Sequence, residues 1–161
     1  MLCLDISGSM ETQDLLPSRV EAAKATLKTF VDNVPGDRIG LVVFAGKAFV
    51  QCPLTLDHDV IKEFIDRVDL TTVGVDGTAI GDGLLLAVSR LMQDQGNGGP
   101  PPSRLIVLAT DGQNNAGKIQ PRRVPCSRSL RVRVRVSTPV IAGIPSPWSQ
   151  PPSERVAAWW L

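Results

Sequence analysis

Asp5, Ser7 and Ser9 alternate along Leu4-Asp5-Ile6-Ser7-Gly8-Ser9, directly after an apolar run that begins at Met1. Alternate residues of an extended segment point the same way, so one carboxylate and two hydroxyls converge beyond a strand end. Oxygen donors of this kind suit a hard cation such as Mg²⁺, which takes six oxygens at roughly 2.0–2.1 Å and keeps several waters. Gly8 is expected to let the backbone turn tightly between the two serines. The same string also suits a polar strand-to-helix loop in which Asp5 caps and the serines bond the turn.

Two further places carry matching chemistry. The apolar run Arg104-Leu105-Ile106-Val107-Leu108-Ala109 stops at Thr110-Asp111-Gly112, so a second buried strand ends in an acid. Thr78, in Asp76-Gly77-Thr78, stands at the start of a helical pattern, with Thr71 and Thr72 as alternative hydroxyls nearby. Asp111 also reads as a helix cap, Thr78 as an N-cap, Asp76 as a turn acid or a rim charge, and Asn114 and Asn115 as loop-forming residues or partner contacts.

The elements that must position these groups follow from periodicity. Ser18 and Glu21 form an S-x-x-E capping box ahead of Val20, Ala23, Leu27, Phe30, Val31 and Val34 at helical spacing, ending at Pro35-Gly36. Ile39 to Ala45 is apolar and β-branched, a strand buried on both faces, and Gly46-Lys47 turns it into a short edge strand expected over Ala48 to Gln51. Asp57 caps a helix whose Val60, Ile61, Phe64, Ile65 and Val68 form one stripe. Ile80, Leu84, Ala87, Val88 and Leu91 mark a third helix, and Gln95 to Pro102 is a Gly/Pro-rich connection. Strands alternating with amphipathic helices predict an α/β doubly wound, mostly parallel sheet with helices on both faces. Ligands of such sheets bind beyond the carboxyl ends of the strands, where Asp5 and Asp111 fall.

Composition bounds the rest. The 161 residues are 43% hydrophobic and 20% charged, as in one ordinary globular domain. No apolar run is long enough for a membrane span, and no signal-type leader is visible. The chain opens inside a strand, so upstream residues are expected to be missing, which leaves room for a membrane anchor in a longer protein. Cys3, Cys52 and Cys126 are widely spaced and read as small buried thiols. His58 is the sole histidine, which argues against a zinc site or a histidine-based triad. Residues 1–117 carry 9 Lys/Arg against 15 Asp/Glu, whereas residues 118–161 carry 8 against 1.

With these motifs in place, the sequence resembles the von Willebrand factor type A domain. Asp5-Ile6-Ser7-Gly8-Ser9 matches its D-x-S-x-S, Thr78 its separate threonine, and Asp111 its second acid. Gly36 to Gly46, Gln51-Cys52-Pro53-Leu54-Thr55 and Asp111 to Gly117 are similar to the bacterial aerotolerance (Bat-type) membrane proteins of that superfamily. The resemblance covers about residues 1–120. It implies a metal-ion-dependent adhesion site formed by Asp5, Ser7, Ser9, Thr78 and Asp111. Ser7 and Ser9 would bind Mg²⁺ directly, with Mn²⁺ or Ca²⁺ as alternative ions, and Thr78 directly or through water. Asp5 and Asp111 would act largely from outside the direct ligand set. The expected activity is binding, not turnover: a protein ligand supplies an acidic side chain to the ion's open position. The resemblance further implies a membrane-anchored full-length protein whose partners include an AAA-type ATPase and other von Willebrand A proteins of the same operon, with this chain itself soluble.

An enzyme is the competing class, a hydrolase or phosphotransferase using Asp5 or a loop serine. A haloacid-dehalogenase-like pattern expects an acid two positions after the nucleophile, where this chain has Ser7, and the serines lack a nearby histidine base. Residues 121–161 depart from the family, with Pro121 and Pro125 in place of a helix, then Leu130-Arg131-Val132-Arg133-Val134-Arg135-Val136, whose alternation suits an edge strand. This segment holds 7 of the 13 prolines and Trp148, Trp159 and Trp160. It reads either as a basic arm for nucleic acid or anionic membrane, or as a frameshifted or disordered tail. The second is preferred, because charge, proline and aromatic usage change together where the resemblance ends, and no nucleic-acid partner is expected.

Overall fold

The computed structural model describes residues 1–14, 16–72, 74–93, 103–112, 114–124 and 130–133. The Gly/Pro-rich connection at 95–102, Cys126 and the three tryptophans lie outside the described residues.

Continuous apolar runs became strands buried on both faces, as their patterning requires. These are β1 (Leu2–Asp5), β2 (Ile39–Phe44) and β4 (Arg104–Ala109), joined by β3 (Ala48–Thr55) and β5 (Leu130–Arg133) in one sheet of order β3-β2-β1-β4-β5. β1 pairs in parallel with β2 and β4, β4 pairs in parallel with β5, and β2 and β3 form an antiparallel hairpin. The fold is therefore a doubly wound, mostly parallel α/β sheet. β5 occupies the edge for which its alternating sequence is suited.

The period-2 alternation of the strands sorts their side chains into two cores. Leu2, Leu4, Leu41, Val43, Val107 and Ala109 pack with α1 (Arg19–Asp32) and α2 (His58–Arg67). Cys3, Val42, Phe44, Ile106 and Leu108 pack with α3 (Ile80–Gln93) on the other face. The stripes meet the sheet as their spacing predicts, with Leu27, Val31, Ile61 and Ile65 almost wholly buried. The Ser18 hydroxyl accepts from the Glu21 N–H, and Asp57 Oδ1 accepts from the Asp59 and Val60 N–H groups. Both helix starts are thus fixed by their own local sequence.

β3 is longer than the four residues expected, running on to Thr55. β3 lies at the sheet edge, as expected, and there Pro53, a residue without an N–H, is tolerated within the strand. Register shifts against β2 at Ile39/Leu41 and Leu41/Val42 absorb the irregularity. Among the described residues no helix is long and apolar enough to cross a membrane.

Cys3 and Cys52 are free and buried, and burial pushes the Cys3 thiol up to about 12. A thiol without access or thiolate character is inert. Native protein treated with iodoacetamide at pH 8 is expected to leave both unmodified by peptide mass mapping, whereas urea-unfolded protein is expected to label at both.

Candidate metal centre

β1 and β4 lie side by side, and the chain leaves them towards opposite edges of the sheet, through β2 and β5 respectively. The crevice beyond their carboxyl ends is where open α/β sheets bind ligands. Asp5 ends β1 there and Thr110-Asp111 follow β4, so topology brings together residues about a hundred positions apart.

Asp5 is fully buried, and both of its oxygens are engaged. Oδ1 accepts the Ser7 N–H at 2.9 Å and Oδ2 accepts the Thr110 hydroxyl at 2.5 Å. Burial raises the Asp5 carboxyl above its ordinary range; the bonds from Thr110 and Ser7 oppose that shift, and the nearby Asp111 charge adds to it. A desolvated carboxylate beside a second one is an electrostatic demand for a cation.

The two serine hydroxyls lie 3.1 Å apart, and Ser9 Oγ donates to Asp111 Oδ1 at 3.0 Å. An ionised carboxylate only accepts, so Ser9 gives its proton to Asp111 and Ser7 gives its own to Ser9. Lone pairs then remain on both serine oxygens, as metal ligation requires. Ser7 immediately precedes a 3-10 turn at Gly8–Glu11, yet its side chain caps none of that turn's N–H groups. The reading in which the serines merely bond the turn therefore fails for Ser7. Gly8 does not play the turning role expected of it: it is not among the described glycines with positive φ, and an added Cβ there would meet nothing within 4 Å. The turn is closed by the Met10 N–H on the Ser7 carbonyl at 2.9 Å, with no need for glycine's freedom.

Thr78 reaches the crevice from the loop before α3. A Cβ built on Gly112 would stand 3.4 Å from Thr78 Oγ1 and 3.8 Å from Asp5 Oδ2, so the Thr78 hydroxyl, Asp5 and the residue after Asp111 crowd one point. The loop is pinned on both sides. The Ala79 N–H donates to the Ala45 carbonyl at 2.6 Å, and the Thr78 N–H donates to Asn115 Oδ1 at 2.7 Å. Asn114 Oδ1 accepts the Gly81 N–H at 3.1 Å. Both asparagines are thus loop-forming, the first of the two readings open from sequence. The competing Thr71 belongs to a separate 3-10 turn at Leu70–Thr72 and is exposed. Asp76 is exposed.

Three participants were not visible as site residues in the sequence. Thr110 donates to Asp5, and Arg19, at the first position of α1, pairs its Nη1 with Asp111 Oδ2. Asp82 accepts the Lys118 and Ile119 N–H groups, tying the 114–119 segment to α3. One signal pointed to Arg19: a cation in the first turn of a helix opposes the macrodipole and needs a tertiary reason. His58 Nε2 bonds the Asp37 carbonyl at 2.9 Å, beyond the amino end of β2 and so at the opposite edge of the sheet. It supplies no base to Ser7 or Ser9.

The donor set fits a hard divalent ion: hydroxyl and carboxylate oxygens, with no thiolate or imidazole. Among the described residues no three of His, Cys, Asp and Glu are placed to hold a metal ion together, so any ion here would rest on hydroxyls as well as acids.

Comparison with known proteins agrees with this architecture. The family model for the von Willebrand factor type A domain matches residues 1–113. A UPF0353 protein of Mycolicibacterium vanbaalenii is 38% identical over 117 residues, covering 70% of this chain and 34% of that protein. The chain thus spans about a third of the length of the curated relatives it matches. Among solved structures, the conserved hypothetical protein BatB of Bacteroides thetaiotaomicron is 34% identical at a TM-score of 0.72, covering 83% of this chain and 63% of that one. An aerotolerance-related membrane protein of Bacteroides fragilis is 36% identical at a TM-score of 0.70, covering 83% and 64%. Proximal thread matrix protein 1 of the mussel byssus, solved with a zinc-occupied MIDAS motif, shares the fold at 23% identity and a TM-score of 0.64, covering 83% and 36%. The match over most of the chain, together with the strand-end site, leads to one conclusion: this chain belongs to the von Willebrand factor type A domain family.

Proposed function

We propose that the chain is a non-enzymatic, Mg²⁺-dependent protein-interaction domain that captures an acidic side chain of a partner protein. The observation that carries this reading is the continuous hydrogen-bonded run from Thr110 through Asp5, Ser7 and Ser9 to Asp111, with the Thr78 hydroxyl and Asp5 both close to Gly112. Ser7 and Ser9 would hold the ion, Thr78 would complete the hydroxyl set, and Asp5 and Asp111 would orient them and supply charge. When bound, the ion offers an open position to an outside carboxylate. The fold family is one of protein-interaction domains, and the site lacks a histidine base for turnover. Because relatives include proteins described as membrane proteins, we assign the chain to a membrane-anchored protein, with an AAA-type ATPase and other von Willebrand A proteins as candidate partners.

Calorimetric titration of EDTA-stripped protein with Mg²⁺ tests the site. Wild type is expected to give saturable 1:1 binding that EDTA reverses, and Ser7→Ala and Asp111→Ala are each expected to bind about 10- to 100-fold more weakly. Equal affinity in wild type and both variants would remove the assignment.

A further inference from the structure

Among the described residues Arg19 is the cation that pairs with a site carboxylate. Its side chain is 27% exposed, Nη1 pairs with Asp111 Oδ2, and Asp111 has only 5% of its side chain exposed. Nε and Nη2 bind the two oxygens of Asp14 at 2.8 and 2.7 Å. Asp14 fixes the plane of the guanidinium, so the fork presents its remaining edge to Asp111. Asp14 is 40% exposed, and solvent screens its charge more than that of Asp111. Around the crevice three carboxylates, Asp5, Asp111 and Asp14, stand with one guanidinium, and of the three Asp14 is the most exposed.

We infer that Arg19 is a built-in counter-cation of the metal centre, which neutralises Asp111 and so trades metal affinity for attraction of a partner carboxylate. This rests on the metal-site reading above. Two bare carboxylates would hold a divalent ion tightly and leave a site with no net charge. Arg19 adds one positive charge beside the ion, offset in part by the more exposed Asp14, so the loaded site is more positive with Arg19 than without it and draws an anionic side chain more strongly. Asp111 meanwhile stays oriented by two partners, Ser9 on Oδ1 and Arg19 on Oδ2.

Removing the Arg19 charge is expected to have effects of opposite sign on metal and on anion binding. In Arg19→Gln, Mg²⁺ affinity measured by calorimetry is expected to rise on the order of tenfold, because a like charge beside the ion is gone. On the Mn²⁺-loaded protein, acetate is expected to displace metal-bound water less readily, its apparent affinity from water-proton relaxation falling by a similar factor. Arg19→Lys keeps the charge without the fork and is expected to stay near wild type in both measurements. A merely structural role for Arg19 would weaken metal binding in Arg19→Gln and leave no gain to observe. Unchanged or weaker Mg²⁺ binding in Arg19→Gln, against a wild type that binds, overturns this inference alone. A wild type that takes up neither Mg²⁺ nor Mn²⁺ removes the metal-site reading and this inference with it.

Discussion

Asp5→Asn is expected to separate stability from metal binding. The buried carboxylate of Asp5 is raised towards its neutral form by desolvation, so an uncharged isostere suits the metal-free protein. The amide oxygen can accept from the Ser7 N–H as Oδ1 does now, and the Thr110 hydroxyl can turn to accept from the amide NH₂. Urea unfolding of metal-free Asp5→Asn is therefore expected to match wild type within about 1 kcal/mol. Mg²⁺ affinity is expected to fall about 10- to 100-fold, since a charged group that orients Ser7 has gone. Asp5→Ala differs in the first respect: it leaves the Ser7 N–H and the Thr110 hydroxyl without a partner and is expected to cost about 1–3 kcal/mol. An Asp5→Asn protein that binds Mg²⁺ as wild type does would show that Asp5 has no part in a metal site.

Gly81→Ala is expected to have the largest structural effect of any single methyl group added near the centre. A Cβ at Gly81 would fall 1.8 Å from the Ile119 carbonyl oxygen and 2.6 Å from its carbon, and backbone cannot swing aside as a flexible side chain does. The substitution gains about 1 kcal/mol of helix propensity in α3. It is nonetheless expected to lose about 2–3 kcal/mol net, because the 114–119 segment must move off the helix. That movement strains the Gly81 to Asn114 and Asp82 to Lys118 bonds and, with them, the Asn115 side chain that holds the Thr78 N–H. A lowered urea midpoint accompanied by weakened Mg²⁺ binding is the expected result. Gly8→Ala, with open space around it, is the control and is expected to stay within about 0.5 kcal/mol of wild type. Equal midpoints for wild type and Gly81→Ala would show that the 114–119 segment does not lean on α3.

Much of the fold was legible in the sequence because its signals are local. Strand and helix types, the Ser18 and Asp57 caps, and the two strand-end acids follow from periodicity and from residues within one turn of each other. β3 was read as ending at Gln51 and runs on to Thr55 at the sheet edge, where Pro53 is tolerated. Gly8 was credited with a conformational role that an ordinary 3-10 turn fulfils without it.

By itself, then, the sequence placed an acid and two hydroxyls just beyond one strand end and a second acid beyond another; the extended alternation expected for all three ends before Ser9, which lies in the Gly8–Glu11 3-10 turn. It also determined the doubly wound class, because strands alternating with amphipathic helices leave few other ways to bury both sheet faces, whereas the strand order came from the tertiary structure. Only the tertiary structure decided which threonine faces the crevice, that Thr110 bonds Asp5, that Asn114 and Asn115 pin the α3 loop, and that Arg19 pairs with Asp111. These contacts join residues 33 to 105 positions apart. Hydrogen bonds at such separation leave no periodic trace along the chain, because they depend on how the sheet is wound and where its loops meet.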